Sequence, residues 1–174
     1  MKVLAIPGST RAASTNRALL LGLSRIAEHP VSVTIYDGLR DLPIFSPDLE
    51  GAATPATVIA FAKAVHQADV LVISSPEYVR SIPGGLKNAI DWLVSRDELI
   101  AKPIALIHAS HRGDDMLADL RRVLSTVSSN FLPDVFERFE LVKISPDDIQ
   151  TALSSPTEQL RLKTYLNHLL AKLT

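Results

Sequence analysis

Short runs of aliphatic and β-branched residues alternate along the chain with longer stretches whose apolar positions recur every three or four residues. Val3-Leu4-Ala5-Ile6, Val70-Leu71-Val72-Ile73 and Ile104-Ala105-Leu106-Ile107 are nearly continuous apolar runs, the pattern of parallel strands buried on both faces. The run Val31-Ser32-Val33-Thr34-Ile35-Tyr36 alternates instead, which predicts a strand nearer an edge. A fifth strand is expected within 135–144, where Glu137, Arg138 and Glu140 interrupt the pattern. Between the runs, Leu19, Leu23, Ile26 and Ala27 share one helical face, and Pro30 prevents continuation. Thr54 is expected to cap a helix with Pro55 at its first position and Val58, Phe61 and Val65 as its stripe. Leu86, Ile90 and Leu93 mark another helix, and Leu117, Leu120, Leu124 and Val127 a further one. The last helix opens on the capping box Ser155-Pro156-Thr157-Glu158 and continues with Leu162, Leu166, Leu169, Leu170 and Leu173. Such alternation implies an α/β fold, a parallel sheet covered on both faces with right-handed crossovers. Sheets of this kind bind ligands beyond the carboxyl ends of their strands, which directs attention to the loops after Ile6, Ile73 and Ile107.

Composition narrows the classes. The 174 residues are 47% hydrophobic, sufficient for one compact domain, and neither repeat nor linker interrupts 1–174. The absence of cysteine excludes disulfides, thiolate metal sites and a catalytic thiol. Eighteen Lys plus Arg against 19 Asp plus Glu give a net charge of −1, with no basic run to capture nucleic acid or anionic membrane. No apolar stretch is long enough to span a bilayer, and a strand-like run from Lys2 leaves no room for a targeting segment. The expectation is a soluble cytoplasmic protein.

After Ile6 the chain reads Pro7-Gly8-Ser9-Thr10-Arg11-Ala12-Ala13-Ser14-Thr15-Asn16-Arg17. Gly8 allows a tight turn, and hydroxyls, an amide and guanidiniums then accumulate just before a helix. A phosphate monoester needs donors from several sides, and a helix start supplies N–H groups and a favourable dipole. Ser9, Ser14 and Thr15 can donate hydroxyl hydrogen bonds, with Arg11 or Arg17 adding a charge-assisted one. The same residues also fit an ordinary strand-to-helix turn with Ser14 as its cap and the arginines in solvent. Only Gly8 stands where a dinucleotide fingerprint needs three glycines, and no Gly-Lys-Ser/Thr follows. Asp37 imitates a ribose-binding acid but sits in a Tyr36-Asp37-Gly38 turn that needs no ligand.

After Ile73 the chain continues Ser74-Ser75-Pro76-Glu77-Tyr78-Val79-Arg80-Ser81-Ile82-Pro83-Gly84-Gly85-Leu86-Lys87-Asn88-Ala89-Ile90-Asp91-Trp92. Two prolines stiffen this loop, whose backbone groups can read the polar edge of a flat heterocycle with Tyr78 beside it. Together the two loops resemble the NADPH-dependent FMN reductase family, which includes quinone, azo and chromate reductases. The likeness in strand–helix order covers nearly the whole chain, with its specific signal in 6–17 and 74–93. The resemblance implies a flavodoxin-like three-layer sandwich with sheet order 2-1-3-4-5 and FMN between the first and third strands. It further implies that Ser9, Arg11, Ser14, Thr15 and Asn16 hold the FMN phosphate. Pro76, Glu77, Tyr78 and Val79 would line the ring largely through backbone atoms, and Ser110 would sit at its edge.

Two departures stand out. Many relatives carry Asn where this chain has Val79. The third loop reads Ser110-His111-Arg112-Gly113-Asp114-Asp115, with Asp115 in place of the arginine that relatives have before the fourth helix. These carboxylates leave open how the phosphates of NADPH or NADH would be held. His108 and His111 with the two aspartates lack a third ligand on one face, so they read as one buried and one loop histidine, with Asp114 capping the fourth helix. No Gly-x-Ser-x-Gly elbow occurs. Arg121-Arg122 and 161–163 read as solvated helix faces, Trp92 as core or interface, and Glu77 as structural. Arg80 can meet a cofactor phosphate, an acidic substrate or solvent. By resemblance the chain is an NAD(P)H-dependent, FMN-bound oxidoreductase serving a quinone, azo compound, metal oxyanion or free flavin, as a homodimer or homotetramer. A flavin-binding electron carrier without turnover is the rival, and a phosphate-ligand enzyme without flavin a third reading.

Overall fold

The computed structural model describes residues 1–173. Five strands, β1 (Lys2–Pro7), β2 (Ser32–Ile35), β3 (Val70–Ser74), β4 (Ile104–His108) and β5 (Phe131–Arg138), form one parallel sheet in the order β2-β1-β3-β4-β5. This is the flavodoxin-like order expected from the resemblance. The helices are α1 (Thr15–Ile26), α2 (Ala56–Gln67), α3 (Gly84–Val94), α4 (Asp114–Val127), α5 (Pro146–Leu153) and α6 (Pro156–Ala171). Period two along the strands divides the core. Leu4, Ile6, Leu71, Ile73, Ile104 and Leu106 face α2, α3 and α4, while Val3, Ala5, Val70, Val72, Ala105 and Ile107 face α1, α5 and α6. Every residue of β3 and β4 is buried, as their continuous apolar runs require. Register brings Pro7 opposite Ser74 and His108 opposite Arg138, so the carboxyl ends of β1, β3, β4 and β5 meet at one edge of the sheet.

Three expectations need correction. The fifth strand starts at Phe131, before the expected window, and ends at Arg138. A bulge explains the misreading: Ile104 pairs with Phe131 but Leu106 with Phe136, so the two-residue period is lost across exposed Pro133 and Asp134. Thr54 does not cap α2: Pro55 holds that position, and the Thr54 hydroxyl donates to the Gly51 carbonyl at 2.9 Å. Asp114 does not cap α4 either, because Gly113 does, at φ +99°. The sequence pattern also missed α5. It begins on Ser145, whose hydroxyl oxygen accepts the Asp148 N–H, and buries Ile149 and Leu153. Its approach to α1 is so close that a Cβ on Gly22 would lie 2.5 Å from Leu153 Cδ1. Of the capping box at Ser155 one half forms: the hydroxyl oxygen accepts the Glu158 N–H, while the Ser155 N–H donates to the Ala152 carbonyl and the Glu158 carboxylate is engaged by Arg161.

The long connection between β2 and α2 is pinned from α3. Trp92 Nε1 and Asn88 Nδ2 both donate to the Pro43 carbonyl, at 2.7 and 2.9 Å, and Asn88 Oδ1 accepts the Phe45 N–H at 2.8 Å. The second half of the 74–93 motif is therefore scaffold, and Trp92 is fully enclosed core. Among the described residues no helix is long and apolar enough to cross a membrane.

Candidate functional site

Where strand order reverses, the loops after β1, β3 and β4 enclose a crevice of about 280 Å³ lined by Thr15, Asn16, Ser75–Glu77, His108–Ser110, Arg112, Gly113 and Val142. Loop one is drawn against loop two by the Gly8 N–H, which donates to the Ser74 carbonyl at 2.8 Å. A Cβ on Gly8 would lie 2.6 Å from Ser75 Oγ and 2.9 Å from Leu86 Cδ2, so this approach demands glycine.

Loop one then passes into α1. Ser14 is the cap, its hydroxyl oxygen accepting the Arg17 N–H at 3.4 Å. Thr15 and Asn16 occupy the first turn, whose N–H groups have no intrahelical acceptor. No acidic residue stands in that turn. Buried Asn16 is tied to the sheet, accepting from the Ser74 hydroxyl at 2.9 Å. The two guanidiniums of the loop part company. Arg17 is engaged by Asp37 through two bonds of 2.7 Å, which push its pKa further up, whereas exposed Arg11 has no side-chain partner among the described residues. Asp37 thus serves as the counter-ion of Arg17.

Loop two contains a two-residue hairpin. Tyr78 and Ser81 exchange backbone hydrogen bonds of 3.1 and 3.0 Å, with Val79 at φ +52° and Arg80 at +60° between them. Helix α4 holds this hairpin: Arg80 Nε donates to Asp115 at 2.6 Å and Ser81 Oγ to Asp119 at 2.8 Å. Val79 stands at the tip, 99% exposed, and the Tyr78 hydroxyl lies 3.4 Å from Ser9 Oγ. Glu77 accepts the Met116 N–H at 3.2 Å, placing a carboxylate on the first turn of α4.

Loop three is bound from beneath. Buried His108 sets Nε2 2.6 Å from the Arg112 carbonyl, and Arg138 donates to the His111 carbonyl at 2.9 Å and to Asp114 at 2.5 Å. Arg138 holds the Asp114 carboxyl below its usual range, and burial lowers the pKa of His108. Both aspartates of this loop are therefore paired with arginine, Asp114 with Arg138 and Asp115 with Arg80.

Of the expected site residues, Thr15, Asn16, Pro76, Glu77 and Ser110 line the crevice together. Ser9 touches Tyr78, Ser14 caps α1 beside them, and Arg11, Tyr78 and Val79 lie exposed outside the lining. Pattern reading missed Ser75, His108, Ala109, Arg112, Gly113 and Val142 as lining residues. Ser75 lay inside the motif stretch and was within reach; Val142 arrives from beyond β5, a placement no local pattern encodes.

The donor set suits FMN. A hydroxyl-rich turn, with Arg11 lacking a side-chain partner among the described residues, leads into a helix whose first turn holds no acid, next to a crevice walled by the proline-containing loop. Sheet order and crevice define a flavodoxin-like protein. The NADPH-dependent FMN reductase family matches residues 1–138, and the chain belongs to that family. It is 40% identical over 116 residues to a quinone reductase of Escherichia coli K12, covering 65% of this chain and 61% of that protein. It is 35% identical over 112 residues to an NAD(P)H-dependent FMN reductase of Pseudomonas aeruginosa, covering 63% and 60% respectively. The alignments thus span about three-fifths of the length of these curated relatives. In fold, the chain is similar to the flavoenzyme NAD(P)H:(acceptor) oxidoreductase of Paracoccus denitrificans, with a TM-score of 0.73, 24% identity and 98% of each chain covered.

Proposed function

We propose that the chain is an NAD(P)H-dependent oxidoreductase that binds FMN at this crevice and passes reducing equivalents to a small acceptor. The observation that carries the reading is the contrast between two helix starts at one crevice. The start of α4 is already occupied: Glu77 accepts the Met116 N–H, and Asp114 and Asp115, each paired with an arginine, stand in its first turn. The first turn of α1 holds no acid of its own and Asp37 is taken up by Arg17, so hydroxyls, N–H groups and Arg11 remain to receive a phosphate. In this reading Ser9, Arg11, Ser14, Thr15 and Asn16 hold the phosphate, and Pro76, Glu77, Tyr78, Val79 and Ser110 border the ring. Bound FMN supplies the hydride and electron chemistry; protein groups position it and shape access. No side chain is needed as acid or base. Acceptors in keeping with the crevice and with the relatives are quinones and azo compounds, with metal oxyanions and free flavin as further candidates.

Both core clusters draw on β1, β3, β4 and β5, which supports reading 1–174 as one domain. Exposed Val94, Ile100 and Leu160 are in keeping with a homodimer or homotetramer, to be measured by light scattering. The function is tested by saturating the purified protein with FMN, recording its visible spectrum, and mixing it anaerobically with NADH and with NADPH. Bleaching by either nucleotide, followed by reoxidation with a quinone, is expected. Bound flavin that neither nucleotide bleaches would make the protein a carrier. Arg11→Ala with Ser14→Ala is expected to weaken FMN at least tenfold more than riboflavin, which lacks the phosphate, given about 1.5–3 kcal/mol for a charged hydrogen bond.

A further inference from the structure

The wall of the crevice formed by loop three owes its shape to groups behind it. His108 is 1% exposed at the end of β4, and its ring reaches the Arg112 carbonyl through Nε2 at 2.6 Å. A carbonyl only accepts, so Nε2 carries the hydrogen and neutral imidazole leaves Nδ1 bare. Nδ1 is indeed buried without a hydrogen-bond partner. The neighbouring His111 carbonyl accepts from Arg138 Nη1 at 2.9 Å, and beyond Gly113 the Asp114 carboxylate accepts from Nη2 of the same guanidinium. Arg138 is itself seated by α6, since Arg161 donates to its carbonyl and, at 2.6 Å, to Glu137. The chain then returns over the imidazole so closely that a Cβ on Gly113 would lie 3.0 Å from His108 Nε2. Ser110 Oγ accepts the Arg112 N–H at 3.0 Å, which leaves the Ser110 hydroxyl hydrogen to donate into the crevice.

We propose that His108 and Arg138 are positioning residues for the flavin ring: from behind the crevice they clamp the consecutive carbonyls of Arg112 and His111 and so preform the wall that carries Ser110. The inference rests on the FMN reading. His108 borders the crevice but is 1% exposed, and Arg138 is not among the lining residues, so each acts through the backbone of residues 110–113. Preformation matters because an ordered wall spares the ligand the entropy of fixing those residues on binding. The clamp would serve the ring and not the phosphate, which the FMN reading assigns to the start of α1.

The test uses His108→Leu, which removes the donor, and His108→Gln, which keeps an N–H of similar reach. Hydrogen exchange of the 110–114 amides in the ligand-free protein reads the clamp directly, and fluorescence titration with FMN and with riboflavin reads its consequence. His108→Leu is expected to exchange faster across 110–114 and to weaken both flavins by a common factor of about tenfold, the scale of one lost hydrogen bond. His108→Gln is expected to recover most of both. A folded His108→Leu protein with unchanged exchange and affinity overturns the proposal, as does a Gln variant no better than Leu, or a loss confined to FMN. If His108→Leu does not fold, Arg138→Met takes its place with the same expectation and the same overturning results. A wild-type protein that binds neither flavin overturns the FMN reading itself. One that binds both and ignores these substitutions overturns the clamp alone.

Discussion

At Val79 a β-branched side chain is held at φ +52°, a region that suits Asn and Gly. The two-residue hairpin turn between Tyr78 and Ser81 requires positive φ at both central residues. Strain there is of the order of 1–3 kcal/mol. The Arg80–Asp115 pair is too exposed, at 82% and 50%, to offset much of it. Val79→Asn is therefore expected to stabilise the protein by about 0.5–1 kcal/mol, measured as a higher urea midpoint at unchanged m-value. An unchanged midpoint would show that the turn carries no strain. Gly113→Ala moves the other way. Positive φ and contact with His108 Nε2 together imply a loss of about 1–3 kcal/mol, and flavin binding should weaken with it. At this scale the sequence was legible where function rests on neighbouring residues: the hydroxyls of loop one and the prolines of loop two lie in unbroken stretches. It read one buried and one loop histidine, as His108 and His111 prove to be, but not the grip of His108 on the Arg112 carbonyl, and it was silent on Arg138, whose partners lie 27 and 24 residues earlier.

Element by element, the continuous apolar runs announced β1, β3 and β4, and alternation announced that β2 is an edge. Two elements escaped for physical reasons. Helix α5 is eight residues long, too short for periodicity to show, and its stability comes from Ile149 and Leu153 packing against the sheet and α1. Strand β5 hid behind its own bulge. Helix α6 illustrates the reverse, a helix written out by its cap and stripe, with Leu162, Leu166 and Leu169 buried. Ser155→Ala is expected to cost about 1 kcal/mol by leaving the Glu158 N–H without its side-chain acceptor. Chemical denaturation measures it, and flavin affinity should not change, since Ser155 is not among the residues lining the crevice.

For the whole molecule, the pKa of His108 is lowered, first by burial and also by the charge of Arg138 on β5. The bond to the Arg112 carbonyl and the charge of Asp114 on α4 act against that shift. The unfolded chain takes up this proton near the ordinary imidazole value of 6.5, the folded one only at lower pH. Stability is thus fully present above that pH and is lost progressively as pH falls from there towards the folded pKa. Urea unfolding at pH 7.5 and 5.5 should show the wild type losing more stability than His108→Gln over the interval. Equal losses would mean that this imidazole ionises as readily inside the protein as outside.

The interruption at Pro133 bears on how molecules of this kind keep apart. A parallel sheet ends in a row of main-chain donors and acceptors that a like sheet can extend indefinitely. Here one border strand is only four residues long, and the other is broken midway by an imino acid with no hydrogen to offer. Replacing Pro133 by valine would repair that seam and turn a self-limiting rim into a template for fibrillar stacking, visible as turbidity or thioflavin fluorescence on incubation.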